Sequence, residues 1–324
     1  MADLQPQTTV DAGVAEAAKD AGALVDQVAR VVLGNPEPIR LAVTAFFAGG
    51  HVLVEDMPGV GKTLLAKALA KSIGGTFGRV QGTADLLPSD VTGVSVFEPA
   101  TGTWAFRPGP VFHNVVLFDE LNRATPRTQS ALLEAMAEHQ TTVDGTTRAL
   151  PEPFFVVATQ NPHGDLGTFP LLHGQRDRFA MVLSLGLIGP DIERNLLSGA
   201  GGTAALDRLG PVIDVERWPL AAAGVDAVYV NGAIRDYIIA LATTLREHPE
   251  GRLGISPRAT LTLLRTAQAY AITHRRDFVE PDDVKAVAVA VLSHRVGDPT
   301  VLDLPSARAT IADLLDRVPV PPPG

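Results

Sequence analysis

The chain has 324 residues, 46% of them hydrophobic, no cysteine, a formal net charge of −9 and a sequence pI ≈ 5.4. That length accommodates one large domain or two of ordinary size with ample core, and the missing thiols exclude disulfides, zinc-thiolate sites and thiol catalysis. The acid excess disfavours a nucleic-acid surface as the main feature, and the apolar stretches are broken too early for a membrane span. The first residues lack a basic start followed by an apolar run, so a soluble, cytoplasmic setting is expected.

In chain order, residues 1–22 read as a loose N-terminal tail, followed by the apolar segment Val31-Val32-Leu33-Gly34. The strand candidate His51–Glu55 feeds the turn Asp56-Met57-Pro58-Gly59-Val60-Gly61-Lys62-Thr63 and then a Leu/Ala-rich helix from Leu64. Glycines in such a turn let backbone N–H groups face phosphate oxygens; Lys62 would reach the β- and γ-phosphates and Thr63 would hold Mg²⁺. Asp56 stands where the general pattern has Gly, and a Gly/Lys/Thr turn also occurs as an ordinary loop. Next come the strand candidate Thr76–Val80 and a hairpin, Val94–Glu98 with Thr103–Arg107, around Pro99-Ala100-Thr101-Gly102.

Val115–Phe118 is a buried-strand pattern ending in Asp119 and Glu120. At the C-terminal end of a parallel strand, Asp119 could accept from the hydration shell of Mg²⁺, and Glu120 could polarise a water for attack on a γ-phosphate. A strand simply ending in solvated acids is the alternative, and the phosphate turn upstream weighs against it. Thr125 is a helix N-cap with Pro126 in the first turn, and Leu132, Ala135 and Met136 face inward. Asp144-Gly145 between Thr141–Val143 and Thr146–Arg148 is a second hairpin. The strand candidates Phe154–Thr159 and Phe179–Leu185 complete a parallel sheet covered on both faces.

After Pro190 the pattern is helical only, with apolar stripes at Ile234, Ile238, Leu241, Leu245 and at Val284, Val287, Ala288, Val291. Gly199–Gly202 reads as a linker, and residues 318–324 as a Pro-rich tail.

These runs, together with Asp85–Gly93, Phe106–Pro110, Asp119–Ala124, Gln129–Met136, Ala158–Pro162, Asp177–Phe179 and Ser256–Ala259, resemble the MoxR-type AAA+ ATPases, a clade shared with magnesium-chelatase ATPase subunits. The likeness covers nearly the whole chain and its motifs keep the family's order. It implies an α/β P-loop core over 23–190, with a five-stranded parallel sheet and two hairpin insertions, and an all-α lid over 191–317. In this family Asp at position 56 is tolerated.

The resemblance also implies roles. Asn161 corresponds to the sensor that orients the attacking water; by itself it is equally a turn residue before Pro162. Arg178 corresponds to the arginine finger offered to a neighbouring subunit, against an ion pair with Asp177 as the alternative. Arg258, just inside a helix capped by Ser256, corresponds to the lid arginine that points back at the nucleotide. Val32 and Gly34 would pack on adenine, as apolar core residues also do. The nucleotide contacts implied are Pro58, Gly59, Val60, Gly61, Lys62, Thr63 and Leu64, with Asp119; Thr63 and Asp119 hold the metal. Glu120, Asn161 and Arg178 carry the chemistry.

One segment departs from the family pattern: Leu172-His173-Gly174-Gln175-Arg176 precedes Asp177-Arg178, so an acidic position is His173 and Arg176 adds a second cation beside the finger. His163 and His173 lack metal-ligand spacing with a third partner and read as solvated or interface residues. The expectation is an ATP- and Mg²⁺-dependent ring ATPase, pictured as a hexamer, that remodels a client protein, with a von Willebrand factor A domain protein as one class and metal or cofactor insertion as one setting. Trp104 and Phe106 on the first hairpin are the natural partner contacts. A nucleotide-gated scaffold with little turnover is the alternative. A GTPase is disfavoured because no Asn-Lys-x-Asp motif occurs, and a nucleic-acid motor because of the acid excess.

Overall fold

The alternation of side chains on five short strands decides the architecture. A computed structural model of the chain describes residues 5–161, 167–248, 255–297 and 303–321. In chain order it places α1 (Gln5–Ala29), α2 (Pro36–Phe47), β1 (Val52–Glu55), α3 (Lys62–Ser72), β2 (Phe77–Gln81) and α4 (Pro88–Thr92). The hairpin β3 (Gly93–Glu98) and β4 (Thr103–Pro108) follows, then β5 (Val115–Asp119), α5 (Pro126–Glu138) and the hairpin β6 (Gln140–Val143) and β7 (Thr146–Ala149). The core closes with β8 (Phe155–Gln160), α6 (His173–Arg176) and β9 (Met181–Leu183). Beyond it, α7 (Pro190–Leu197), α8 (Gly202–Asp207), α9 (Trp218–Asp226), α10 (Gly232–Glu247), α11 (Pro257–Thr273), α12 (Pro281–Leu292) and α13 (Leu304–Arg317) are helical.

The five-stranded sheet has the order β2-β5-β8-β1-β9 with every pairing parallel. Successive side chains of a strand face opposite sides of the sheet. Val52, Val54, Val115, Leu117, Phe155, Val157, Met181 and Leu183 therefore enter one core, and Leu53, Val116, Phe118, Val156, Ala158 and Val182 enter the other. Strands this uniformly apolar are stable only when both faces are covered. Helices α1, α2 and α3 line the first face, and α5 with Val91 of α4 the second. Both hairpins form where expected, and the Asp144-Gly145 turn takes the positive φ angles, 51° and 72°, that a two-residue hairpin loop needs.

Two expectations are corrected. The segment 1–22 is helical from residue 5 and not a tail: α1 buries Val14, Ala17, Ala21, Leu24 and Val28 and lies along α9. Ala and Val at three- and four-residue spacing give that helix an apolar stripe. The C-terminal helices share the core of the α/β part. Ile234, Ile238, Leu241 and Leu245 of α10 and Val284, Val287 and Val291 of α12 belong to the same cluster as the first sheet face, and α11 packs on α1 and α2. The Pro-rich end is anchored as far as it is described, because Val318 is buried and Val320 and Pro321 line a groove with Tyr229 and Phe278. Gly199–Gly202 forms the turn between α7 and α8, where the Gly202 N–H donates to the Val31 carbonyl at 3.0 Å.

Candidate active site

The turn after β1 and the N-terminus of α3 build a cradle from sequence rules alone. Gly61 caps the helix at φ 103°, a conformation that other residues adopt only with strain, and no side chain caps the exposed N–H groups that follow. An α-helix N-terminus left open in this way attracts anions. Pro58, Gly59, Gly61, Lys62, Thr63 and Leu64 line a cavity of ≈ 370 Å³ whose opposite wall is Asp119, Glu120, Thr159 and Asn161. All four of these come from the C-terminal ends of β5 and β8, the end of a parallel sheet at which ligands bind. The side chain of Lys62 is mostly buried, and its ammonium donates to the Asp56 carbonyl at 2.7 Å. Burial holds that ammonium below the ordinary lysine range, while Asp56, Asp119 and Glu120 favour its charged form.

The two carboxylates are held by neighbours that the motifs do not announce. Thr159, on β8, donates to an Asp119 oxygen at 3.3 Å and accepts the Glu120 backbone N–H at 2.9 Å. Arg79 of β2 pairs with Asp119 through Nη2 at 2.8 Å and Nε at 3.0 Å. Glu120 accepts from Arg123 at 3.0 Å and from Gln81 at 3.1 Å. Its backbone is left-handed, φ 54° and ψ 51°, uncommon for a residue with a Cβ. The chain after β2 passes so close to this bend that a Cβ on Gly82 would stand 2.2 Å from the Glu120 carbonyl oxygen. Sequence reasoning missed Arg79, Gln81, Arg123 and Thr159. The period-two pattern of β2 was available, since it puts Arg79 and Gln81 on the same side of the strand.

Beside the cradle lies an apolar cavity of ≈ 240 Å³, lined by Val31, Val32, Leu33, Val60, Gly61, Leu64 and the Gly186-Leu187-Ile188 segment. It shares Pro58, Gly59, Gly61 and Leu64 with the first cavity, so a planar apolar group and a phosphate chain could be held by one molecule. Gly34 does not line it; Gly34 abuts Ile188, whose Cγ2 would lie 3.1 Å from a Cβ there.

A nucleotide and its metal fit this arrangement. The open N–H groups and Lys62 suit phosphates, and Thr63 with Asp119 offers the hard oxygen donors that Mg²⁺ takes when phosphates complete its shell. No group of three or more His, Cys, Asp or Glu side chains able to hold a metal without such help occurs among the described residues.

Arg178 and Arg258 are not at this site. They line a second cleft, ≈ 220 Å³, with His51, His139, Asp177, Arg265 and Arg295. His51 immediately precedes β1 and Ala180 immediately precedes β9, so this cleft opens at the N-terminal end of the sheet, whereas the cradle follows the C-terminal end of β1. At about 3.3 Å per residue, the strand alone separates the two by about 13 Å. Arg258, expected to point back at the nucleotide, does not face the cradle of its own chain: packing α11 on α1 and α2 carries it to the other end of the sheet. Arg178 makes no ion pair with Asp177; its Nη1 donates to the Leu133 carbonyl at 3.4 Å, and Asp177 is taken by Arg295 at 2.6 Å.

Arg176 is not a second surface cation either, being only 1% exposed, and His173 lies against the Arg295 carbonyl at 3.3 Å. His163 lies outside the described residues. His51 is buried, accepts the Val156 N–H at 3.1 Å and faces the Met136 carbonyl at 3.2 Å. Burial, with smaller contributions from His139 and Arg258, pushes its imidazole down to about 4.

The first hairpin presents Trp104, 71% exposed, with its ring 5.5 Å from that of Phe97. Phe106 instead turns inward, stacked under Arg148 and edge-on to Phe112. The exposed aromatic pair is Trp104 with Phe97, opposite each other in register, whereas Phe106, two residues on along β4, is covered by Arg148.

Residues 51–181 match the ATPase family associated with various cellular activities (AAA), and residues 243–314 match the AAA lid domain. The chain is 46% identical over 275 residues to the uncharacterized protein YeaC of Bacillus subtilis, an alignment covering 85% of this chain and 86% of that one. It is 36% identical over 281 residues to the Chaperone MoxR1 of Mycobacterium tuberculosis, covering 83% of this chain and 74% of that one. A crystal structure of a protein from Cytophaga hutchinsonii superposes with a TM-score of 0.84 at 32% identity, covering 97% of this chain and 98% of its own.

Proposed function

Because the chain belongs to the MoxR family of AAA ATPases, we propose that it hydrolyses Mg²⁺-bound ATP between adjacent copies of itself in a ring, expected to be hexameric, and uses the cycle to remodel a partner protein. One observation carries this reading. The phosphate cradle and the arginine cleft lie at opposite ends of one parallel sheet, so a single copy cannot bring Arg178 to its own nucleotide. A head-to-tail ring can, because it sets the arginine end of each copy on the cradle end of the next.

In that arrangement the backbone N–H groups after Gly59 and Lys62 bind the phosphates, and Val32 and Ile188 pack on the base. Thr63 and Asp119 would hold the Mg²⁺, which would supply positive charge to the phosphate chain. Asp119 would then give up its ion pair with Arg79. Glu120, released from Gln81 and Arg123, accepts a proton from the water whose oxygen attacks the γ-phosphorus. Asn161 orients that water. The bond to the β-phosphate oxygen breaks, and Arg178 and Arg258 of the neighbouring copy stabilise the charge on the transferring group. Asn161 thus acts within its own chain and the two arginines act in trans.

The Trp104–Phe97 face is the proposed contact for the remodelled partner, with a von Willebrand factor A domain protein as the class to try first, in metal or cofactor insertion. The name of the relative MoxR1 supports a chaperone role. Two measurements test the assembly reading together: mass by light scattering with and without Mg²⁺-ATP, and turnover per chain against protein concentration. Ring formation with turnover that rises on assembly is expected. A monomer with constant turnover per chain rejects the trans site, and a ring that binds ATP without turnover favours a nucleotide-gated scaffold.

A further inference from the structure

Asp56 is the residue at which this phosphate turn departs from the general pattern, and its surroundings give it a task that glycine cannot perform. It directly follows β1, and Ser184 directly follows β9, the strand that pairs with β1 in parallel with Val54 opposite Leu183. The two strands therefore release their loops side by side. Asp56 is buried, 8% exposed, and its carboxylate spans the gap between those loops. One oxygen accepts the Ser184 hydroxyl at 2.8 Å and the other accepts the Leu185 N–H. The residues that come next, Gly186, Leu187 and Ile188, form one wall of the apolar cavity beside the cradle, and Val60 and Gly61 of the phosphate turn form part of another.

Resting on the nucleotide reading above, we propose that Asp56 is a positioning residue for the base. It ties the phosphate turn to the 184–188 segment and so fixes the base-side wall at a set distance from the phosphates. A buried carboxylate is costly without partners, and this one is satisfied by two hydrogen-bond donors at once. Without it the segment leading to Leu187 keeps its backbone but loses its attachment to the turn. The phosphate-binding N–H groups belong to Gly59 through Thr63 and none of them bonds this carboxylate, which touches phosphate binding only through the charge it sets beside Lys62; Ser184→Ala keeps that charge and so isolates the tie. Base binding and phosphate binding are thus separable at this residue, which a merely structural role would not allow.

The test is calorimetric titration of the full chain with ADP and with inorganic pyrophosphate, which fills the cradle but has no base. For Asp56→Gly, ADP affinity should fall about tenfold while pyrophosphate affinity does not fall, because losing a negative charge beside Lys62 does not weaken the hold on an anion. Asp56→Asn should stay within about threefold of wild type for ADP, because its oxygen can take the Leu185 N–H while its amide donates to the Ser184 hydroxyl. Ser184→Ala removes one of the two bonds and should cost ADP a few-fold, again sparing pyrophosphate; it keeps the test open if Asp56→Gly does not fold. Equal losses for both ligands, or no loss for ADP, overturn the proposal. Wild type that binds ADP while the variants are unchanged sinks this inference alone; wild type that binds neither ligand sinks the nucleotide reading and this inference with it.

Discussion

At the C-terminal end of the sheet, acids and bases are interleaved: Asp119 with Arg79, Glu120 with Arg123 and Gln81, Lys62 with the Asp56 carbonyl. At the N-terminal end, Arg178, Arg258, Arg265 and Arg295 converge on a cleft whose one acidic lining residue, Asp177, is already engaged by Arg295. Among the described residues neither Arg178 nor Arg258 forms an ion pair. The first end is internally neutralised and must exchange partners when a cation and a phosphate chain arrive. The second keeps positive charge in reserve for an anion supplied from outside. In the proposed ring a site divided in this way would make assembly a condition of turnover, and each variant below probes one side of the division.

The largest effect belongs to the basic end. Arg178→Ala should lower turnover by about 10⁴-fold while leaving ATP binding in the cradle of the same chain intact, as steady-state rates beside calorimetric affinities will show. At the acidic end, Glu120→Gln should lower turnover by about 10³-fold and leave a stable, nucleotide-loaded assembly. If instead Arg178→Ala weakened ATP binding by its own isolated chain, the separation of the two ends would be wrong.

A third expected effect concerns stability. With its folded value at about 4 against 6.5 when unfolded, His51 takes up a proton in the unfolded chain first. Stability is therefore fully present above about pH 6.5 and declines as the pH falls towards 4, by about 3 kcal/mol in all. His294, buried and held well below its ordinary value by burial first and then by Arg295, adds in the same direction. Urea midpoints at pH 7.5 and pH 4.5 measure the loss, and replacing His51 should flatten the slope. The smallest effect is at Arg79. Its removal frees Asp119 for the metal, so Arg79→Ala should reach half-saturation with Mg²⁺-nucleotide at a few-fold lower Mg²⁺ concentration, read by binding rather than by turnover.

Much of the acidic end was legible in the sequence. The strand-turn-helix around Lys62 and the apolar run into Asp119 and Glu120 are local patterns whose geometry follows from backbone rules, and their motifs name the side chains. Asn161 falls beside them because β8 lies between β1 and β5, which a parallel sheet brings about. The basic end was not legible in the same way. A helical stripe shows that one face of α11 is buried but not what it packs against, and it is the packing on α1 and α2 that moves Arg258 to the far end of the sheet. Residues 1–22 read as a tail because small Ala and Gly residues give a weak apolar signal, yet close contact with α9 is what small residues permit: a Cβ on Gly224 would stand 2.5 Å from the Gly13 carbonyl oxygen. Arg176 and Arg178 look alike in sequence, and only the fold buries one and leaves the other at the cleft.

The division of the site between copies is tested most directly by mixing Glu120→Gln with Arg178→Ala. In the proposed ring, each variant alone would lack one half of every interface. In a mixed ring, some interfaces receive Glu120 from the Arg178→Ala chain and Arg178 from the Glu120→Gln chain, and those are complete. The account predicts that turnover, nearly absent in either variant alone, returns on mixing to a sizeable fraction of wild type after subunit exchange. Mixtures that assemble and exchange subunits, yet show no more turnover than the sum of the separate variants, would contradict it.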